Sequence, residues 1–196
     1  MVRLAKFNAD NFIDAAIDVA AQCGMAAVSM AAIAVRAGAP IGSVYHRFDS
    51  RGAILAHAWL RVKADFRADV ASRWQGADSW DGVAALLDWC RRKPVYARFL
   101  LQCEDQPLAD ATLAPQLRAA LEAEQAELDA CFERCLLALP AGGENAAATL
   151  RFILIDGPVA VVKPYLTQHH AIPAGADAIL RAAHDAVRAL ANIETD

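Results

Sequence analysis

The side chains best suited to chemistry sit in one short stretch. Between Ile41 and Phe48 run Gly42, Ser43, Tyr45, His46 and Arg47, which supply a hydroxyl, a phenol, an imidazole and a guanidinium. Val44 and Phe48, four apart, give a short helix one buried edge and leave those groups on its outer faces. Two turns of helix are not stable alone, so neighbours must hold it from behind. Such a helix suits the reading of base edges in a DNA groove. Catalysis has less to work with: no nucleophile, base and orienting group stand at telling spacing, and no phosphate loop is present. Cys131 and Cys135, four apart on one helical face, allow a shared metal or a redox pair. No His/Cys cluster joins them, and a buried free cysteine behaves as a small hydrophobe. The reading assigns no catalytic residue, no metal and no cofactor.

The elements that must position this stretch follow from spacing. Asn8 to Cys23 carries Phe12, Ala16, Val19 and Cys23 at helical period, with Asn8 as cap and Gly24 as stop. Ser29 caps a second short helix through Ala31 to Ala34. Gly38 can take the left-handed conformation that ends it, and Pro40 can begin the third helix at its first turn. Asp49 or Ser50 caps a long fourth helix on Leu55, Trp59, Val62, Phe66 and Val70, ending near 73–76.

From Trp80 onward the pattern is helix with short breaks. Helices are predicted from Ser79 to Arg92, from Pro94 through Phe99 and Cys103, and from Leu113 or Pro115 to Leu139, with loops at 102–110 and 140–143. Asn145 to Gln168 is helical, with Gly157-Pro158 expected to kink it. Pro173 opens the last helix, on Ile179, Leu180, Ala183, Val187 and Leu190. No strand-period segment or repeat is present, so the fold class is all-α, with about nine helices expected. A domain boundary is expected near residue 53, dividing 1–53 from 54–196.

Composition narrows the partners. Of 196 residues 57% are hydrophobic, ample for a core, yet no apolar run reaches the roughly 18 residues that span a membrane. The first ten residues lack an apolar signal core, so the expected location is cytoplasmic. Five cysteines without regular spacing fit a reducing compartment. Net charge is −4, but it is unevenly spread. Residues 1–73 hold nine Lys/Arg and six Asp/Glu, +3, and the remainder holds ten and seventeen, −7. The basic part contains the helix-turn-helix candidate.

These residues resemble a known family. Cys23-Gly24, the serine-capped helix with Ala32-Ile33-Ala34 and Ala37-Gly38, then Gly42-Ser43-Val44-Tyr45-His46-Arg47-Phe48 and Ser50-Arg51 with Ile54-Leu55, are similar to the DNA-binding domain of the TetR family of bacterial transcriptional regulators. The likeness covers roughly 8–56. It implies a three-helix DNA-binding domain and a larger all-helical domain for ligand binding and dimerisation. Two departures stand out: Pro40 replaces the usual Ser/Thr at the start of the recognition helix, and Gly52 replaces an acidic residue, which weakens the first turn of the fourth helix.

The resemblance implies operator contacts by Ser43, Tyr45 and Arg47 and a phosphate contact by Arg51. Arg47 could donate bidentately to a guanine, and Tyr45 could offer its hydroxyl to a phosphate or its ring to a thymine methyl. Ser29, at a helix start, is placed for a phosphate oxygen. Gly42 lets the backbone approach, His46 is a weaker candidate, and Ile41 offers apolar contact alone, so its position is expected to discriminate bases weakly. A dimer of this kind needs a near-palindromic operator in double-stranded DNA.

For the rest, Trp89, Tyr96, Phe99, Cys103, Phe132 and Phe152 are expected to surround a pocket for a small, mainly apolar or aromatic effector, unless they are ordinary core. Asp156, amid Ile153-Leu154-Ile155, could orient that ligand or pair across an interface. Ala147, Gly157, Val161, Tyr165, Ile179, Val187 and Leu190 are expected in a homodimer interface built as a four-helix bundle. The expected function is a ligand-responsive regulator, most simply a repressor. The competing readings are an all-helical small-molecule-binding protein or enzyme without DNA function, and a protein-interaction module.

Overall fold

A computed structural model describes residues 7–75, 79–104, 113–138 and 145–193. Leu139, the 140–143 loop and most of the 102–110 loop lie outside them, as does the side chain of Leu190. Among the described residues every regular element is helical and no strand occurs. The order is α1 (Ala9–Cys23), α2 (Met30–Arg36), α3 (Ile41–Tyr45), α4 (Arg51–Asp69), α5 (Trp80–Arg92), α6 (Pro94–Glu104), α7 (Pro115–Leu137), α8 (Ala146–Arg151), α9 (Gly157–Thr167) and α10 (Gly175–Ile193). Single 3₁₀ turns stand at Met25–Ala27 and Ala71–Arg73.

Two compact units emerge, and neither is one continuous piece of chain. The first joins residues 1–64 to 95–124, the second 65–94 to 125–196. In the first unit Asn8 and Asn11 cap α1 reciprocally, each side-chain oxygen accepting the other's backbone N–H at 2.9 Å. α1 buries Phe12, Ala16 and Ile17, α2 buries Ile33 and Ala34, and α4 buries Ile54, Leu55 and Ala58. α2 packs on α1 and α3 on α2. Arg36 pairs with Asp18 at 2.9 Å, and Arg61 pairs with Asp10 and Asp14, adding charged ties from α2 and α4 back to α1.

The second unit is built around aromatic rings. Phe66 meets Trp74 and Trp89 edge-on at 6.0 and 5.3 Å, and Trp74 meets Phe132 at 6.4 Å. Edge-to-face contact suits the ring quadrupole. Gly82 lets α5 reach this cluster, since a Cβ there would lie 2.6 Å from Trp74 Cδ1 and 2.9 Å from Leu154 Cδ2. Lys93 donates to Asp65 at 2.6 Å and to Asp69 at 3.0 Å, fastening the end of α5 to the end of α4. Those carboxylates raise the Lys93 pKa, and the Lys93 hydrogen bond lowers that of Asp69.

Two helix ends and one kink differ from what spacing predicts. α3 stops at Tyr45, three residues before Phe48. α4 stops at Asp69, before the 3₁₀ turn. The kink expected at Gly157-Pro158 is absorbed by a π-helical turn over Phe152–Asp156, in which Gly157 N–H donates to Phe152 O, five residues back. Pro158 has no N–H to give the carbonyl four residues back, so a one-residue shift in the ladder before it relieves the mismatch.

Candidate nucleic-acid interface

The helix-turn-helix is assembled by backbone chemistry first. Ser29 Oγ accepts from Ala32 N–H at 3.0 Å and starts α2. Gly38 ends it at φ 64, with Ala39 N–H donating to Ala34 O at 2.9 Å and Gly38 N–H to Val35 O at 3.1 Å. This pair of bonds is the Schellman arrangement, which requires a left-handed residue where glycine stands. Pro40 is extended and lies just outside α3 as its N-cap, not inside its first turn as expected, and no side chain caps the helix. After Tyr45 the chain turns through His46 and Arg47, so that Phe48 enters the core. Ser50 Oγ then accepts from Ala53 N–H at 3.1 Å and starts α4.

The outward faces follow. Val44 is fully buried, while Ile41 and Tyr45 are 46% and 58% exposed. His46 and Arg47 are exposed and Ser43 is half-buried. Among the described residues the Arg47 guanidinium has no hydrogen-bond or ion-pair partner, unlike those of Arg36 and Arg61. A Cβ added to Gly42 would meet nothing within 4 Å. Arg51 is differently placed: Nε donates to Val28 O at 2.7 Å and an Nη to Met25 O at 2.6 Å. It ties the start of α4 to the connection before α2.

Residues 12–58 match the family of bacterial regulatory proteins called tetR. The chain has the fold of a TetR-family transcriptional regulator. A tetR-family regulator from Shewanella sp. PV-4 matches with a TM-score of 0.66 at 16% identity, over 91% of this chain and 96% of that one. A transcriptional regulator from Rhodococcus sp. Rha1 matches with a TM-score of 0.65 at 19% identity, over 94% and 96%. The multidrug binding protein EbrR, solved with imidazole, matches with a TM-score of 0.56 at 21% identity, over 90% and 94%. No curated protein sequence matches significantly.

Outside the TetR-family segment the expected sites scatter. Tyr96, Phe99 and Cys103 fall in the first unit, and Trp89, Phe132, Phe152 and Asp156 in the second. Trp89 and Phe99 are core, 2% and 0% exposed, and Trp89 donates to Asp65 at 2.7 Å. Phe152 is 46% exposed, and exposed Asp156 lies 3.5 Å from Arg151, so neither lines an enclosed space within this chain. The π-helical turn sets which way these two face. A groove of about 360 Å³ in the first unit is lined instead by Arg47, Phe48, His57, Leu60, Leu113 and Leu117. Burial and the nearby Arg61 lower the pKa of His57.

The expected interface residues have a mixed placement. Ala147 and Ile179 are exposed, and Gly157, Val161, Tyr165 and Val187 are half-buried. On α10 the inward ladder is Ala176, Leu180 and His184, which leaves Ile179 61% exposed on another face. Cys131 and Cys135 are buried, burial raises the Cys135 pKa, and Arg134 donates to Cys131 Sγ at 3.1 Å.

One constellation escaped the sequence argument. Ser79 Oγ lies 2.9 Å from His184 Nε2, and His184 Nδ1 lies 3.0 Å from Asp185 Oδ1. The order is that of a hydrolytic relay, but Ser79 and His184 are only 4% and 5% exposed and offer a substrate no approach. The bond ties the start of α5 to α10. A spacing of 105 residues hides it; the only hint was a histidine in register with Ala176 and Leu180.

Proposed function

We propose that this chain is a ligand-responsive transcriptional repressor that binds a near-palindromic operator as a homodimer. The observation that carries this reading is α3, held from behind by Val44 and Phe48 and presenting Ile41, Gly42, Ser43 and Tyr45 outward, with His46 and Arg47 just beyond, inside the family-matched segment. Arg47 donates to a guanine edge, and Gly42 lets the backbone close on the groove. Ser29 Oγ accepts its capping bond and keeps its proton for a phosphate oxygen. Arg51 uses two donors internally, and its remaining N–H groups face the same phosphate task. The exposed side of α10 around Ile179, with α9, forms the dimer, which sets two α3 helices about one DNA turn or a multiple of it apart. Occlusion of the promoter then needs no chemistry by the protein.

The effector is small and mainly apolar or aromatic. EbrR, a multidrug binding protein of similar fold, supports a small molecule as the signal. Ligand switches the operator only if it binds more tightly to one spacing of the two reading helices than to the other.

The test is a mobility shift with duplexes from the gene's upstream region and from a selected pool, at two salt concentrations. A specific shift that weakens steeply with salt is expected. Folded dimer that shifts neither duplex set would overturn the reading. A thermal-shift screen of small apolar and aromatic compounds identifies the effector class.

A further inference from the structure

We infer that the helix-turn-helix reads its operator through thymine methyl groups, using the exposed apolar side chains of Val35, Ile41 and Tyr45. The inference rests on the DNA-binding reading above and names what that site recognises. Six large apolar side chains stand exposed among the described residues, and three of them fall at these positions, Val35 at 81%, Ile41 at 46% and Tyr45 at 58%. Ile41 and Tyr45 are four apart and share one exposed face of α3, while Val44, on the adjoining face, is buried. Val35 lies on the last turn of α2, just after buried Ile33 and Ala34 and just before the Gly38 turn that brings α3 against α2.

The chemistry of the segment points the same way. Residues 30–51 contain no Asn, Gln or Lys, so the amide that usually grips adenine is missing. Hydrogen bonds to base edges fall to Ser43, His46, Arg47 and the tip of Tyr45, and the largest outward surfaces are carbon. In the major groove the apolar feature is the C5-methyl of thymine. A polyanion is favoured over an apolar protein partner, because with Arg36 paired to Asp18 the segment still sets Arg47 and Arg51 against the single carboxylate of Asp49. The open space over Gly42 admits the duplex backbone closely. Ile41 therefore discriminates bases, where apolar contact by itself suggested a weak reader.

The test uses the full chain. Duplexes are selected from a random pool, and each half-site thymine is then replaced in turn by deoxyuridine, which keeps base pairing and the O4 acceptor and loses the methyl alone. The expected result is enrichment of thymine in both half-sites and about fourfold weaker binding for each contacted methyl removed. Val35→Ala, Ile41→Ala and Tyr45→Ala each erase the penalty at one thymine, whereas Tyr45→Phe keeps it. All three positions are exposed, so the variants should keep the parental melting temperature. Equal binding of the deoxyuridine duplexes overturns the inference and leaves DNA binding intact, as does a penalty unchanged in all three alanine variants. Failure to enrich any duplex overturns the DNA-binding reading itself, and this inference with it.

Discussion

Gly42 and Arg51 lie nine residues apart, and one residue's effect on folding should separate cleanly from the other's. Nothing within 4 Å would meet a Cβ at Gly42, so Gly42→Ala should leave stability unchanged or raise it by up to about 1 kcal/mol. Its operator affinity should nonetheless fall; a variant with undiminished affinity would show that the duplex does not come close there. Arg51→Ala should unfold about 2 kcal/mol more easily, because the guanidinium donates to the Val28 and Met25 carbonyls. Denaturant titration reads both variants. Arg47→Ala, with no internal partner to lose, should keep its stability and lose about 1–3 kcal/mol of preference for the cognate duplex, measured by competition binding. His57 adds a pH dependence. Its folded pKa lies below the ordinary 6.5, so the unfolded chain takes up the proton first as pH falls. Stability should therefore drop as pH descends from 6.5 towards the folded value, and His57→Gln should flatten that slope in pH-dependent melting.

At the scale of elements, caps were readable from local chemistry. Asn8, Ser29, Gly38 and Ser50 each act where their side chain or φ freedom suggests, because capping involves only residues within one turn. The ends of α3 and α4 were not readable. Phe48 has to reach the core, and that tertiary demand halts α3 three residues before Phe48. Gly82 has a packing role beneath Trp74 that only the structure reveals. Gly82→Ala gains helix propensity but drives a methyl into Trp74 and Leu154, so a net loss of roughly 1–2 kcal/mol is expected, seen as a lower melting temperature. An unchanged melting temperature would mean that the ring and Leu154 yield freely.

At the scale of the molecule, two compact units share α4 and α7, with boundaries after Ala64 and after Glu124. Ile179→Glu on the outward face of α10 should shift the protein from dimer to monomer by light scattering and weaken operator binding at least tenfold, because each α3 alone makes too few contacts. A monomeric parent protein would sink that expectation at once. By itself the sequence determined the all-helical class, the caps and turn of the helix-turn-helix, and which edge of α3 is buried. These depend on residues one to four positions apart, within reach of propensity and periodicity. Tertiary structure decided what lay far apart in the chain: the Arg51 tie to Val28, the Ser79–His184 bond across 105 residues, the aromatic cluster over Gly82, and the outward placement of Phe152 and Asp156. Each depends on contacts or turn geometry that the packed fold selects, and pairing across such separations leaves no periodic trace in the chain.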